Sequence, residues 1–121
     1  MIRKITPDGV VTTLAGTVDA VGTGGMQGYQ DGPGASALFN IPSSLTVDAQ
    51  DNLYVVETGN CAVRKITPSG FVSTVVGTAK QCEIKPGSFP ALINTVSGIA
   101  ITPTGQLVLT SENAILSITG L

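Results

Sequence analysis

Oxygen donors and cysteines are the side chains of this sequence that could do chemistry. The 121 residues include no histidine, which rules out a Ser-His-Asp triad, a Cys-His pair and a histidine-ligated zinc ion within the chain. The sequence groups no nucleophile with a base and an oxyanion donor. We therefore expect no catalytic residues, no cofactor and no metal.

The segment Glu57-Thr58-Gly59-Asn60 is the first candidate site, because it lies between two β-prone runs. One interpretation is a contact with a ligand or a metal ion. The other is turn chemistry, in which Gly59 and Asn60 tolerate positive φ and the polar side chains bond to local backbone. Turn chemistry is the more common use of such a segment, and we expect it here.

Arg64 and Lys65 repeat a pair that also occurs as Arg3-Lys4. Two hypotheses stay open for them. The pairs could form a basic stripe for an anionic partner, or Arg64 could form an ion pair with a carboxylate such as Glu57 or Asp48, with Lys65 extending along apolar surface. The chain has only six Lys and Arg residues, which favours the ion pair.

The glycine-rich segment 22–28 resembles a phosphate-binding loop only in its composition. No helix-forming run follows it, so it lacks the helix N-terminus that would orient backbone N–H groups toward a phosphate. We interpret it as an extended loop in which Met26 and the adjacent Tyr29 are the only sizeable contact residues. Tyr29 is therefore a candidate interaction residue.

Cys61 and Cys82 are the only cysteines. The runs flanking Pro68-Ser69-Gly70 should form a hairpin in which Cys61 lies opposite Gly77, five residues before Cys82. A returning loop could bring the two Cα atoms within the roughly 6 Å of a disulfide. The alternatives are a disulfide, which would suit an oxidising and hence extracellular or cell-surface setting, and two unrelated thiols.

The composition indicates a packed domain rather than a disordered or nucleic-acid-binding chain. Hydrophobic residues make up 42% and charged residues 12%, with a net charge of −2. Disorder needs more charge and less hydrophobicity, and nucleic-acid binding needs a basic surface that this chain cannot form. The longest apolar runs are far shorter than the roughly 20 residues of a membrane helix, so membrane insertion is not expected.

Short β-prone runs separated by turn residues predict an all-β fold. No apolar period of 3.6 residues is sustained, whereas Val, Ile and Thr recur in short runs between Pro-, Gly- and Asn-containing turns. The predicted strands are 2–6, 10–15, 43–48, 53–57, 62–67, 71–76, 97–102, 106–111 and 114–119. Short turns between successive strands indicate a meander of antiparallel hairpins.

An internal repeat organises these strands. Residues 2–17, IRKITPDGVVTTLAGT, match residues 63–78, VRKITPSGFVSTVVGT, without a gap. Residues 43–57 match residues 97–111, and the loop 33–40 resembles 86–94. One unit is therefore four strands and a longer link.

The stretch DGPGASALFNIPSSLTVDAQDNLYVVETGNCAVRKITPSGFVSTVVG, residues 31–77, resembles the NHL repeat. The resemblance is carried by the Asp-Gly link, the Leu-Tyr-Val strand, the acidic-Thr-Gly-Asn turn and the Arg-Lys-Ile strand ending in Pro-x-Gly. It implies a β-propeller of four-stranded antiparallel blades, commonly six-bladed in this family.

The resemblance also implies a division of the chain and a set of partners. The expected units are two last strands of a blade (1–16), a link (17–42), a complete blade (43–77), a second link (78–96) and three first strands of the next blade (97–121). Such a set cannot close a ring, so we expect further blades from the same polypeptide or from other subunits.

The absence of catalytic groupings favours a non-catalytic scaffold that binds a protein partner. The alternative is a piece of a propeller enzyme with a metal on the channel axis. Some six-bladed relatives hold such a metal with Glu, Asn and Asp ligands, and the resemblance then implies Glu57, Asn60, Asp48 and Glu112 as the donors. RNA binding, known among relatives with basic faces, is disfavoured by the net charge of −2.

Overall fold

The computed structural model describes residues 1–22, 24–79, 81–84 and 93–121. Most of the loop 86–94, which the repeat aligned with 33–40, lies outside the described residues, as does part of the predicted link 78–96.

Nine strands and one short 3-10 turn form the regular structure of the described residues. The strands are β1 (Ile2–Ile5), β2 (Val11–Ala15), β3 (Pro42–Val47), β4 (Leu53–Glu57), β5 (Ala62–Ile66), β6 (Val72–Val76), β7 (Val96–Ile101), β8 (Leu107–Ser111) and β9 (Ala114–Ile118). The 3-10 turn is Gly34–Ser36. The all-β prediction is confirmed, with strand ends within one residue of those expected.

Three of the strands end one residue early because a Thr-Pro-x-Gly turn begins there. The threonine carbonyl oxygens accept from the glycine N–H at 2.8–2.9 Å, and the threonine hydroxyls accept from the residue after the glycine at 3.0–3.1 Å. The threonines are Thr6, Thr67 and Thr102. Each turn glycine has positive φ, which glycine adopts without the steric penalty of a Cβ.

The strands form three antiparallel sheets in which neighbours in sequence are neighbours in space. The first sheet has the order β1-β2, the central sheet β3-β4-β5-β6 and the third sheet β7-β8-β9. In the hairpin of β5 and β6, Ile66 pairs with Val72 and Arg64 with Thr74, which is the register that the sequence predicted.

Two apolar cores hold the sheets together. The first lies between the first and central sheets and comprises Ile2, Leu14, Ala15, Ala37, Phe39, Leu53, Val55, Ile66 and Val72. The second lies between the central and third sheets and comprises Tyr54, Val56, Val63, Val75, Val76, Ile93, Val96, Ile99, Ile101, Leu107, Leu109, Leu116 and Ile118. The central sheet is thus covered on both faces, which explains why β4 reads as a continuous apolar run.

A bulge between Val63 and Arg64 ends the regular pairing of β5 with β6. Gly77 follows the bulge with φ of 94°, and a Cβ there would overlap the carbonyl oxygen of Cys61 and lie 2.7 Å from the Cα of Ala62. Both the conformation and the close approach of the two backbones therefore require glycine at this position.

Gly77→Ala is expected to destabilise the protein by about 2–4 kcal/mol, because left-handed strain and overlap with fixed backbone add. Gly105→Ala is the matched control, since Gly105 has φ of 83° but a Cβ added there would meet no heavy atom within 4 Å. The control should lose only about 1–2 kcal/mol in urea unfolding. Equal losses in the two variants would contradict the close approach at Gly77.

Across the described ranges, no helix has the length and apolar character required to cross a bilayer.

Candidate functional site

Arg64 is the centre of the most extensive polar cluster of the described chain. It lies on β5 in the central sheet, and its side chain is completely buried. Nε and Nη2 donate to Asp31 Oδ1 at 3.0 and 2.6 Å, and Nη1 donates to Glu57 Oε2 at 2.8 Å. The remaining two donors bind the carbonyl oxygens of Gln30 and Leu38 at 2.8 and 3.2 Å. All five guanidinium N–H groups thus have acceptors within the chain.

Glu57 closes one side of this arginine cluster from the end of β4. Its Oε1 accepts from the backbone N–H of Asn40 at 2.7 Å and from Asn60 Nδ2 at 3.0 Å. Burial raises the pKa of the Glu57 carboxyl, and the bonds from Arg64, Asn40 and Asn60 oppose that shift. These bonds offset part of the cost of burying the pair, which a buried ion pair requires to be tolerated.

Asp31 closes the other side from the link between the first and central sheets. Its side chain is 44% exposed, and its Oδ2 accepts the backbone N–H of Thr74 at 3.1 Å. The hydroxyls of Tyr29 and Thr74 lie 2.7 Å apart. Asp31 therefore ties the link to both β5 and β6.

Two aromatic rings approach the guanidinium group. Its central carbon lies 4.7 Å from the ring centroid of Tyr29 and 5.3 Å from that of Phe39. Both distances allow a cation–π attraction. Tyr29, which the sequence suggested as an interaction residue, is thus a structural partner of Arg64.

The turn Glu57-Thr58-Gly59-Asn60 binds the same link. Thr58 donates its N–H and its hydroxyl to the carbonyl oxygen of Ile41, each at 3.1 Å. Gly59 exchanges bonds of 3.2 Å with Asn40, and Asn60 Nδ2 donates to the carbonyl oxygen of Gly28 at 2.8 Å. The segment is thus a turn whose polar groups clamp a distant part of the chain.

Two details of the turn differ from the sequence expectation. The polar side chains bond to residues 28–41 rather than to local backbone. Positive φ falls on Cys61, at 49°, instead of Gly59 or Asn60. Gly59 is needed for space, because a Cβ there would lie 2.5 Å from Asn40 Cγ.

The ion pair expected for Arg64 exists, but one of the two suggested carboxylates is not part of it. Glu57 is a partner, whereas Asp48 accepts four hydrogen bonds at the β3–β4 turn, from the N–H groups of Gln50 and Asn52, from Asn52 Nδ2 and from Tyr54 Oη. Sequence reasoning missed Asp31, which lies 33 residues before Arg64. The only signal for it was its place in the Asp-Gly link.

The oxygen donors considered for a metal ion do not form one group. Glu57 and Asn60 are in contact, with Asn60 Nδ2 donating to Glu57 Oε1 at 3.0 Å. Asp48 and Glu57 flank opposite ends of β4, and Glu112 follows β8 in the third sheet, where it accepts from Asn94 Nδ2 at 2.6 Å. No group of three or more His, Cys, Asp or Glu residues suited to a metal ion occurs within the described ranges.

Cys61 and Cys82 form a disulfide with Cα atoms 5.3 Å apart. Cys61 is buried directly after the turn, and Cys82 is exposed in the segment after β6. The bond therefore fastens the turn that clamps the first link to the beginning of the second link.

Tyr54 and Asp48 form a separate polar contact at the far end of β4. The Tyr54 hydroxyl donates to Asp48 Oδ2 at 3.2 Å. Burial, together with this hydrogen bond and the carboxylate charge, raises the pKa of Tyr54 above 10.0.

Protein stability should therefore fall as the pH rises from about 10 toward the folded-state pKa of Tyr54. In that interval the folded protein keeps the phenol proton that the unfolded chain has lost, so rising pH favours unfolding. Urea unfolding at a series of pH values measures the slope. Tyr54→Phe should make the free energy of unfolding depend less steeply on pH. An unchanged dependence would contradict the raised pKa of Tyr54.

No protein-family model matches the chain. Solved structures resemble it. A protein of unknown function from Bacteroides thetaiotaomicron VPI-5482 superposes with a TM-score of 0.79 at 29% identity, over 95% of this chain and 28% of that chain.

Two further structures from the same organism share the fold at lower identity. An auxiliary nutrient binding protein has a TM-score of 0.69 at 17% identity, over 88% of this chain and 28% of that one. A protein described as a candidate phosphatase has a TM-score of 0.66 at 19% identity, over 99% and 35%. The chain thus spans 28–35% of the length of these structures.

Proposed function

We propose that the chain is a segment of an NHL-type β-propeller and acts as a non-catalytic scaffold for a protein partner. The observation that carries the proposal is that the two cores use equivalent positions of the internal repeat. Ile2, Leu14 and Ala15 in the first core correspond to Val63, Val75 and Val76 in the second. Successive sheets therefore stack by the same contact.

The sheet on the other side of each core also contributes residues at equivalent positions of the repeat. The central sheet contributes Leu53, Val55 and Ile66 to the first core, and the third sheet contributes Leu107, Leu109 and Ile118 to the second. Phe39 of the first link corresponds to Ile93 of the second. A contact that repeats head to tail is heterologous, and it generates a ring when the rotation closes.

The arginine cluster supports a structural rather than a catalytic role. Its guanidinium donors are all bonded within the chain, and the Glu57 carboxylate accepts three bonds. A group whose hydrogen-bonding capacity is used internally has little left for a substrate. The cluster instead fixes the link against the central sheet, as a rigid scaffold requires.

Uncovered strand surfaces support the presence of further blades. Leu45 and Val47 on β3 are 49% and 44% exposed, although their repeat equivalents Ile99 and Ile101 pack in the second core. They line a cleft together with residues of β1, and β1 pairs only with β2 among the described strands. Two additional strands next to β1 would cover them, supplied by the same polypeptide or by other subunits.

Analytical ultracentrifugation of the isolated 121-residue chain tests the proposal. We expect association or poor folding, because apolar faces and a strand edge are left open. A stable, folded and monodisperse monomer would overturn the need for further blades.

A further inference from the structure

A cleft of about 950 Å³ lies between the central and third sheets. It is at the end of the sheets where the β3–β4 and β7–β8 turns meet. Tyr54 and Lys65 of the central sheet line it, together with Asp48 of the β3–β4 turn and Thr102 and Gln106 of the β7–β8 turn. Residues 119–121, which follow β9, line it as well. The volume falls in the range of about 300–1,000 Å³ that is common for small-molecule sites.

Lys65 brings into this cleft a cation that has no counter-ion within the described part of the chain. Its backbone is in β5, its side chain is partly buried, and its Nζ lies 5.8 Å from the ring centroid of Tyr54. Both ion pairs found within 4 Å in the described ranges belong to Arg64. The ring contact holds the ammonium group in place without neutralising it.

Asp48 lines the same cleft but does not serve as that counter-ion. Its two carboxylate oxygens accept four hydrogen bonds from its own turn and from Tyr54. Those bonds occupy the lone pairs that a lysine would use. The cleft therefore combines an available cation with a carboxylate that is already saturated.

Neutral polar side chains line the same cleft as Lys65. The amide groups of Gln50 and Gln106 line the cleft and have no side-chain hydrogen bond within the described part of the chain. Thr102 and Thr104 also line the cleft, and their hydroxyls lie 3.0 Å apart. Amides and hydroxyls of this kind can both donate and accept, which suits a ligand rich in hydroxyl groups.

We propose that this cleft binds a small hydroxylated carboxylate, with Lys65 binding the carboxylate and the amide side chains binding the hydroxyls. The single cation and the nearby charge of Asp48 favour a monoanion over a dianion. This inference does not rest on the propeller proposal, because the residues that line the cleft all belong to the described chain.

Isothermal titration calorimetry with gluconate tests the site. Sorbitol keeps the hydroxyls but lacks the carboxylate, acetate keeps only the carboxylate, and inorganic phosphate supplies a dianion. We expect gluconate to bind at least about tenfold more tightly than each of the other three, since losing one of the two contact classes costs about 1.4 kcal/mol or more.

Lys65→Met should weaken gluconate binding at least about tenfold, the loss expected for one charge-assisted contact. Lys4→Met is the matched control, because Lys4 is the repeat equivalent on the first sheet and does not line the cleft. It should leave the affinity unchanged. If Lys65→Met fails to fold, Gln106→Ala serves as the second variant and should weaken gluconate but not acetate.

Three results would overturn the proposal. They are no heat of binding for gluconate, sorbitol affinity equal to that of gluconate, and full affinity in folded Lys65→Met. If phosphate bound more strongly than gluconate, the cleft would be a general anion site. That result would also contradict the proposed preference for a hydroxylated carboxylate. None of these results depends on whether the chain belongs to a closed ring.

Discussion

Replacing Arg64 by leucine is expected to lower the free energy of unfolding by about 3–5 kcal/mol, because it leaves the fully buried Glu57 carboxylate without its charged partner. The variant also removes five hydrogen bonds that join β5 to Asp31, Glu57 and the link. Chemical unfolding of the variant and of the wild type, monitored by circular dichroism, measures this change in the free energy of unfolding.

The chain itself offers a rescue for this variant. At the positions that correspond to Glu57 and Arg64, the third sheet has Ser111 and Leu116, as the pairing of β8 with β9 shows. The double variant Glu57→Ser/Arg64→Leu copies that arrangement and removes the buried charge. We expect it to be more stable than Arg64→Leu alone by about 1–3 kcal/mol, the range of coupling between residues in contact.

Arg3→Leu is the matched control for Arg64. Arg3 occupies the equivalent position of the first sheet, but it is exposed and has no carboxylate partner within 4 Å among the described residues. A loss of at most about 0.5 kcal/mol is expected. If Arg64→Leu cost less than about 1 kcal/mol, or if the double variant were less stable than the single one, the cluster would not have the structural role assigned to it.

Removing the Cys61–Cys82 disulfide is expected to cost about 3 kcal/mol, the stabilisation expected for a closed loop of this size. The two residues are 21 positions apart. Cys82→Ala is the suitable variant, because Cys82 is exposed and its replacement leaves no cavity. Urea unfolding of the wild type and of Cys82→Ala, with and without dithiothreitol, compares their free energies of unfolding.

Reduction supplies the control for the disulfide. Wild-type protein in dithiothreitol should fall to the stability of Cys82→Ala, and the variant itself should not respond to the reductant. Thiol labelling of the native, unreduced protein should find no free cysteine. Two free thiols, or a stability that reduction leaves unchanged, would contradict the assigned bond.

The strands were predictable from the sequence because local signals determine them, whereas the disulfide was one of two alternatives that the sequence left open. Each Thr-Pro-x-Gly turn fixes the position and register of its hairpin through bonds within four residues. Strand register places Gly77 beside Cys61, but Cys82 lies five residues further on, so the register alone does not bring the two cysteines together. The repeat then predicts which side chains recur at equivalent positions.

The partners of Arg64 could be predicted only in part because one of them is remote. Glu57 lies seven residues away on the adjacent strand, so strand pairing brings it near. Asp31 reaches Arg64 only through the path of the link, which no turn signal specifies. Ile41 and Cys61 have positive φ, at 51° and 49°, although neither is a residue type that favours this conformation.

The most direct test of the propeller proposal is the accessibility of β3 in the intact native assembly. Leu45→Cys and Val21→Cys introduce thiols at side chains that are 49% and 78% exposed in the chain. If further strands cover β3, Leu45→Cys should react with a maleimide at least about tenfold more slowly than Val21→Cys, since labelling then requires local opening. The difference should vanish on unfolding in urea. Equal labelling rates in the native assembly would show that β3 is open to solvent, and would contradict the proposal.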